Sequence, residues 1–216
     1  MCLTHGRCGT EYIFSALRKI TSCGHEIFNI PLVKKYDWGK KLRIEDVVGN
    51  IPLSIETIEK YLIHSNIPKI QFYQIHKELL DEIMNNYSCI IYISRRDLFI
   101  KTISALVGNQ TTFHIKKDEE EYIYPKVYIQ PDTFKFCYEK SLIYKEYMMN
   151  YIRDTPNNIL TFYYEDIPNE FNNVCRKILD FAGYNEKVET FTTDFKKREV
   201  DYSEIVINYN ELKELI

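Results

Sequence analysis

The sequence predicts a single three-layer α/β domain in which helices flank a central parallel sheet. Short apolar runs, of which 89–93 is the clearest, alternate with segments whose apolar residues recur at helical spacing. This alternation is typical of proteins in which helices connect parallel strands. A length of 216 residues suits one domain with a full core, so we predict one unit over residues 1–216.

Strands are predicted wherever a short apolar run is bounded by polar or turn-forming residues. The run at 89–93 is almost continuously apolar, as expected of a strand that is buried on both faces. Residues 2–4 have the same character, and Gly24 separates the first helix from a second short strand. The predicted strands are 2–4, 25–28, 69–75, 89–93 and 158–163.

Helices are predicted where the apolar spacing changes to that of one helical face. Tyr12, Ile13, Ala16 and Leu17 show this spacing after Thr10. Further on, Ser54 and Asp97 are suitable N-caps, and Gly183 is a suitable residue to follow a helix end. The predicted helices start at 10, 54 and 98, cover 77–85, 132–152 and 169–182, and end with a short one near 211. Residues 29–53 are predicted to form a long loop or lid.

Composition narrows the classes of function. A net charge of -3 provides no general basic surface, so we expect no nucleic-acid partner. The six cysteines form no C-x-x-C pair, which argues against a zinc site, and no metal is expected. The start has no apolar leader and no apolar stretch is long enough for a membrane span, so we expect a cytoplasmic protein without a transmembrane segment.

Residues 5–10 (HGRCGT) lie where the first strand passes into the first helix. The first N–H groups of a helix have no partners and the helix dipole favours an anion there. Gly6 and Gly9 allow close backbone approach, Arg7 adds a fixed positive charge, and Thr10 adds a hydroxyl. The loop differs from a Walker A loop because no lysine follows Gly9. It is therefore predicted to be a P-loop-like anion site, with an ordinary strand-to-helix turn as the alternative.

Two later segments strengthen the prediction of an anion site. The strongest apolar strand is followed by Arg95 and Arg96, and Ser104 lies in the next helix. Ligands of open α/β sheets bind at the carboxyl ends of strands, so Arg7 and Arg96 could face one anion from two sides. A third strand ends in the turn 163–167 (YYEDI).

These three segments, in this order, resemble the motifs of sulfotransferases that use 3′-phosphoadenosine 5′-phosphosulfate (PAPS), in particular the soluble bacterial and marine type. The motifs are a basic residue two positions before Gly-Thr, an arginine eight positions before a serine, and a Tyr-Glu-Asp turn. They fall here at 7–10, at Arg96 with Ser104, and at 164–166. The closing segment 203–212 also looks like the tail of such members. Leu98 departs from the family by replacing a proline that is often found there.

The resemblance implies which residues bind the donor. The 5′-phosphosulfate would be surrounded, mostly through backbone N–H groups, by Arg7, Cys8, Gly9, Thr10, Glu11 and Tyr12. Arg96 and Ser104 would hold the 3′-phosphate, with Arg95 as the adjacent alternative to Arg96. The basic segment 196–198 matches a late basic segment of relatives, or is a solvated turn.

Sulfuryl transfer to an alcohol also needs a base for the acceptor proton. Relatives carry a Gly-His-Glu element at a similar distance from the loop, so the resemblance points to Glu26 or His25, with preference for Glu26. His5 could instead contact the sulfate or the acceptor. The acceptor would be a hydroxyl of a carbohydrate, a lipid headgroup or a small alcohol. The segments 29–53 and 109–131 would shape its pocket, with contacts from Tyr36, Trp38 and Phe113.

Two other classes of function remain open at this stage. One is a kinase-like nucleotide-dependent enzyme, which the missing Walker lysine disfavours. It is also disfavoured because Asp97 follows two arginines, a poor position for a magnesium ligand. The other is a non-catalytic nucleotide-binding protein of the same fold. A comparison of two ligands distinguishes a kinase-like enzyme from a sulfotransferase. A sulfotransferase should bind adenosine 3′,5′-bisphosphate (PAP), the product formed from PAPS, whereas a kinase-like enzyme should bind ATP with magnesium.

Overall fold

The computed structural model describes residues 1–4, 6–21, 23–26, 66–71, 77–111, 124–154, 158–185, 187–195 and 200–216. Several predicted features lie outside these residues: the lid at 29–53, the helix starting at Ser54, the basic segment 196–198, and the residues His5, Tyr36, Trp38 and Phe113.

The described strands form one parallel sheet. They are β1 (Cys2–Thr4), β2 (Cys23–Glu26), β3 (Ile67–Gln71), β4 (Ile90–Ser94) and β5 (Ile159–Tyr163), in the spatial order β2-β3-β1-β4-β5. Each neighbouring pair is parallel. β1, the first strand in sequence, therefore lies at the centre, and the carboxyl ends of β1, β4 and β5 share one edge of the sheet. The predicted α/β, P-loop-like fold is confirmed.

Two strands begin more than one residue away from the predicted start. Both β2 and β3 begin two residues earlier than expected, at Cys23 and Ile67. In β3 the early start brings Pro68 into the strand, where a proline removes one ladder donor and made the strand hard to recognise. As a result Lys69 lies inside the strand rather than at its start.

The helices largely follow the predicted pattern. They are α1 (Thr10–Leu17), α2 (Lys77–Asn85), α3 (Leu98–Gln110), α4 (Pro131–Asp154), α5 (Phe171–Phe181), α6 (Tyr202–Ile205) and α7 (Tyr209–Lys213). The predicted cap of α3 is confirmed, because the N–H of Ile100 donates to Asp97 Oδ1 at 2.8 Å. Gly183 follows α5 with a φ of 83°, as expected of a residue that ends a helix.

Helices cover both faces of the sheet. On one face, α1 and α5 pack their buried apolar residues against alternate residues of the strands, such as Ile91 and Ile93. On the other face, Leu3 and Tyr92 pack against α2 and α4. A third cluster joins α3 and the start of α4 to the C-terminal segment, which places α3 beside the edge of the sheet where β1 and β4 end.

Candidate functional site

The loop from β1 to α1 has an unusual backbone. Gly6, Arg7 and Gly9 have φ angles of 72°, 54° and 71°, all in the left-handed region. Glycine adopts this region at no cost, whereas arginine does so at an energetic penalty. Gly9 is the N-cap of α1 and no side chain caps this helix. The N–H groups of Thr10 and Glu11 therefore have no partner within the helix, and they lie at the positive end of its dipole.

Gly9 is constrained by Tyr164 as well as by its φ angle. A Cβ atom at position 9 would lie only 2.6 Å from Tyr164 Cδ2, far inside contact distance. Tyr164 directly follows β5, and its N–H donates to the carbonyl of Ser94 at 2.9 Å. The third sequence motif thus packs on the first, and position 9 has no room for a side chain.

Arg7 joins the loop to α3. Its Nε donates to Ser104 Oγ at 3.5 Å, so the structure brings together two of the residues that the motifs singled out. Burial lowers the pKa of Arg7, the nearby charge of Arg95 lowers it further, and the phenols of Tyr202, Tyr124 and Tyr164 act in the opposite direction. Tyr202 and Tyr124 carry no motif signal, and only the packing of the C-terminal segment reveals them.

The two consecutive arginines after β4 point to different surroundings. Arg96 is half exposed and forms a bidentate pair with Asp166, at 2.7 and 2.6 Å, while its guanidinium lies 4.4 Å from the centre of the Tyr163 ring. Arg95 is only 13% exposed and its guanidinium lies 4.4 Å from the centre of the Tyr164 ring. Within the described part of the chain Arg95 Nε is buried without a hydrogen-bond partner. After burial, the charge of Arg95 contributes to lowering the pKa of Arg7.

Glu165, the middle residue of the Tyr-Glu-Asp turn, organises the end of β4. Its carboxylate accepts from the backbone N–H of Arg96 at 3.1 and 3.2 Å and lies 3.7 Å from Arg95 Nε. Charge-assisted bonds to backbone N–H groups hold a loop firmly. The motif therefore positions both arginines relative to the β1–α1 loop.

The Glu11 side chain forms ion pairs within the protein. Its carboxylate pairs with Arg18 at 2.7 Å and with the ammonium of Lys69, which is 0% exposed and also donates to Thr10 Oγ1 at 3.5 Å. Burial alone would raise the pKa of Glu11, but Lys69 and Arg18 outweigh it and lower the pKa. Only the backbone N–H of Glu11 is therefore available for an anion. The sequence predicts Lys69 at the start of a strand and offers no sign that it pairs with Glu11.

The remaining predicted loop residues also contact protein. Cys8 is fully buried, and its thiol donates to the carbonyl of Gly6 at 3.2 Å. The ring of Tyr12 packs against Phe171 with 4.7 Å between centres. Their contribution to an anion site would come from backbone N–H groups and from the shape of the loop.

The candidate bases His25 and Glu26 end β2, the edge strand of the described sheet. β3 lies between β2 and β1, which sets the backbones of β2 and β1 about 10 Å apart. Glu26 is the register partner of Lys69 in β3. The side chains of both candidates lie outside what the structure describes.

The chain matches no protein-family model. It also matches no curated protein. A crystal structure of retinol dehydratase in a complex with retinol and PAP is similar at 14% sequence identity and a TM-score of 0.41. The alignment covers 86% of this chain and 60% of that one, so this chain spans about three fifths of that protein's length. Among the described helices, none is both long and apolar enough to cross a membrane.

Proposed function

We propose that the protein is a PAPS-dependent sulfotransferase that transfers the sulfuryl group to a hydroxyl of an acceptor. One observation carries the proposal: the β1–α1 loop contacts the two other motif segments at one edge of the sheet. Arg7 reaches Ser104 on α3, and Gly9 packs against Tyr164 after β5. Segments that are about 100 and 150 residues apart in sequence thus converge where open α/β sheets bind ligands.

The geometry of the loop suits the 5′-phosphosulfate. The uncapped N–H groups of Thr10 and Glu11 would donate to its oxygens, and Arg7 would add a positive charge. Gly9 leaves the space that a side chain would take, so that the anion and Tyr164 can both lie close to the backbone.

The 3′-phosphate would bind near Ser104. The hydroxyl of Ser104 already accepts from Arg7, and Arg95 has a buried Nε without a hydrogen-bond partner in the described structure. A phosphate oxygen would satisfy this donor, because buried polar groups are rarely left without a partner. Arg95 is therefore the better candidate for this phosphate, although the eight-residue spacing to Ser104 favoured Arg96.

The proposed reaction is an in-line displacement at sulfur. The acceptor oxygen forms a bond to sulfur, the bond from sulfur to the oxygen of the 5′-phosphate breaks, and PAP leaves with that electron pair. The proton of the acceptor hydroxyl passes to a base, for which Glu26 is the first candidate and His25 the second. The acceptor would be a carbohydrate, a lipid headgroup or a small alcohol.

We expect PAP to stabilise the protein against heat, since a ligand at 100 times its Kd adds about 2.7 kcal/mol. A thermal-shift experiment compares PAP with ATP and magnesium. Incubation with radiolabelled PAPS and a panel of hydroxyl compounds then tests sulfuryl transfer. Glu26→Gln should abolish the transfer if Glu26 is the base, and His25→Ala should reduce it if His25 is the base. Stabilisation by ATP with magnesium alone would favour a kinase-like enzyme, and PAP binding without transfer to any acceptor would favour a non-catalytic binder.

Arg95→Ala is expected to weaken PAP binding more than Arg96→Ala does, by about tenfold, because a charged hydrogen bond is worth about 1.5–3 kcal/mol. Calorimetric titration with PAP and with adenosine 5′-monophosphate measures the difference. The loss should be confined to PAP, which alone carries the 3′-phosphate. The reverse order of the two variants would support the assignment from sequence spacing.

A further inference from the structure

Lys101 is a buried lysine of α3 that no sequence motif includes. It is 8% exposed, and its ammonium donates to Ser141 Oγ on α4 at 2.7 Å. In the described part of the chain no carboxylate pairs with it. A buried ammonium without an anion is costly, because its charge is desolvated and only one of its three donors is used. A buried charge with this cost suggests a functional role for Lys101.

Lys101 lies on the same helix as Ser104, a residue of the candidate donor site. It lies three residues before Ser104, so the two side chains are neighbours on the surface of α3. Ser104 accepts a hydrogen bond from Arg7 of the β1–α1 loop. Burial lowers the pKa of Lys101, whereas its interactions with the thiols of Cys8, in the loop, and Cys137, in α4, raise it. Lys101 is thus one helical turn from the serine that accepts a hydrogen bond from Arg7 of the β1–α1 loop.

We propose that Lys101 supplies positive charge to the donor site from its buried position on α3 and so strengthens the binding of the donor's anionic 5′-group without contacting it. The inference rests on the proposed function. In a medium of low dielectric constant a charge acts over several ångströms, so an ammonium on α3 can favour an anion bound at the loop. Charge of this kind is useful only when an anion is bound, which explains why the protein tolerates its cost.

Lys69 provides an internal comparison. It is also buried, but its ammonium pairs with Glu11 and donates to Thr10 Oγ1. Removing one partner of a buried pair destabilises a protein, whereas removing a buried charge that has no ion-pair partner relieves a desolvation cost. The two lysines should therefore respond to substitution in opposite directions.

The test is Lys101→Met, which keeps the length of the side chain and removes its charge. Without ligand, the variant should unfold at a higher temperature than the wild type. Ser141 keeps a partner, since its hydroxyl donates to the carbonyl of Cys137 at 2.7 Å. Calorimetric titration should show that PAP binding is weaker by about tenfold, the order of magnitude expected from the loss of one nearby charge. If Lys101 only stabilised the fold, Lys101→Met would lower both the unfolding temperature and the PAP affinity.

Two control variants make the result specific. Ser141→Ala removes the only hydrogen-bond partner of Lys101 in the described structure but keeps the charge, so PAP affinity should stay near the wild-type value. Lys69→Met should lower the unfolding temperature. If the wild type binds PAP and Lys101→Met binds it equally tightly, this inference is wrong while the proposed function stands. Joint loss of stability and affinity in that variant also overturns it. Absence of PAP binding by the wild type overturns the proposed function and this inference with it.

Discussion

Gly9→Ala is expected to lower the free energy of unfolding by about 3 kcal/mol, the sum of a left-handed backbone penalty and an overpacking cost. The φ of 71° disfavours any residue with a Cβ atom. The new methyl group would also lie 2.6 Å from Tyr164 Cδ2, so the tyrosine ring or the loop must move. Because this contact joins two motif segments, PAP binding should fall at least as strongly as stability. Urea denaturation and calorimetric titration measure the two effects.

Gly183→Ala is the matched control. Gly183 has a φ of 83° and no atom within 4 Å of the position of a Cβ, so alanine there meets only the backbone penalty. Its cost should be about 1 kcal/mol, with PAP affinity unchanged. In a Tyr164→Ala background, the cost of Gly9→Ala should shrink towards that of Gly183→Ala. Equal costs for the two glycines in the wild-type background would contradict a steric role for Tyr164.

Arg7→Ala is expected to weaken PAP binding by about 100-fold, because a charged hydrogen bond in a partly buried site is worth up to about 3 kcal/mol. The substitution removes the side chain that links the β1–α1 loop to Ser104 through a hydrogen bond of 3.5 Å. Calorimetric titration at two salt concentrations measures the loss and its electrostatic part. Unchanged affinity would count decisively against the proposed donor site.

Two further substitutions separate the charge of Arg7 from its backbone. The φ of 54° strains arginine and alanine alike, whereas glycine adopts it freely. Arg7→Gly should therefore be more stable than Arg7→Ala while losing the same affinity for PAP. Arg7→Lys keeps a charge but loses the forked donor geometry, so it should recover part of the affinity.

Several features of the site were predictable because they depend on local chain chemistry. Gly6 and Gly9 mark a loop whose backbone can be approached closely, and in the structure both adopt the left-handed region. Asp97 was recognisable as an N-cap by its position before an apolar helical face, and it forms that bond. The rule that parallel strands present their carboxyl ends at one edge of the sheet predicted that the β1–α1 loop lies near the segment after β4, and in the structure the two are joined by the hydrogen bond from Arg7 to Ser104.

Other features depended on which side chains meet across the sheet. The eight-residue spacing to Ser104 favoured Arg96 over Arg95 as the residue that binds the 3′-phosphate. Consecutive residues after a strand, however, point in different directions. Asp166 and Tyr163 hold Arg96 on the exposed side, while Arg95 is mostly buried and lies over the ring of Tyr164. Likewise the sequence predicted Glu11 near the donor but contained no sign that Lys69 would take its carboxylate.

The sequence by itself determined the α/β fold, the parallel sheet and the position of the β1–α1 loop, because apolar periodicity, helix caps and glycines are local features that extend over only a few residues. The tertiary structure decided how the loop is completed. Tyr164 fills the space beside Gly9, and Lys101 is buried on α3 without a carboxylate partner among the described residues. These contacts depend on strand order and helix packing, which bring together residues about 100 to 150 positions apart, and no local pattern encodes them.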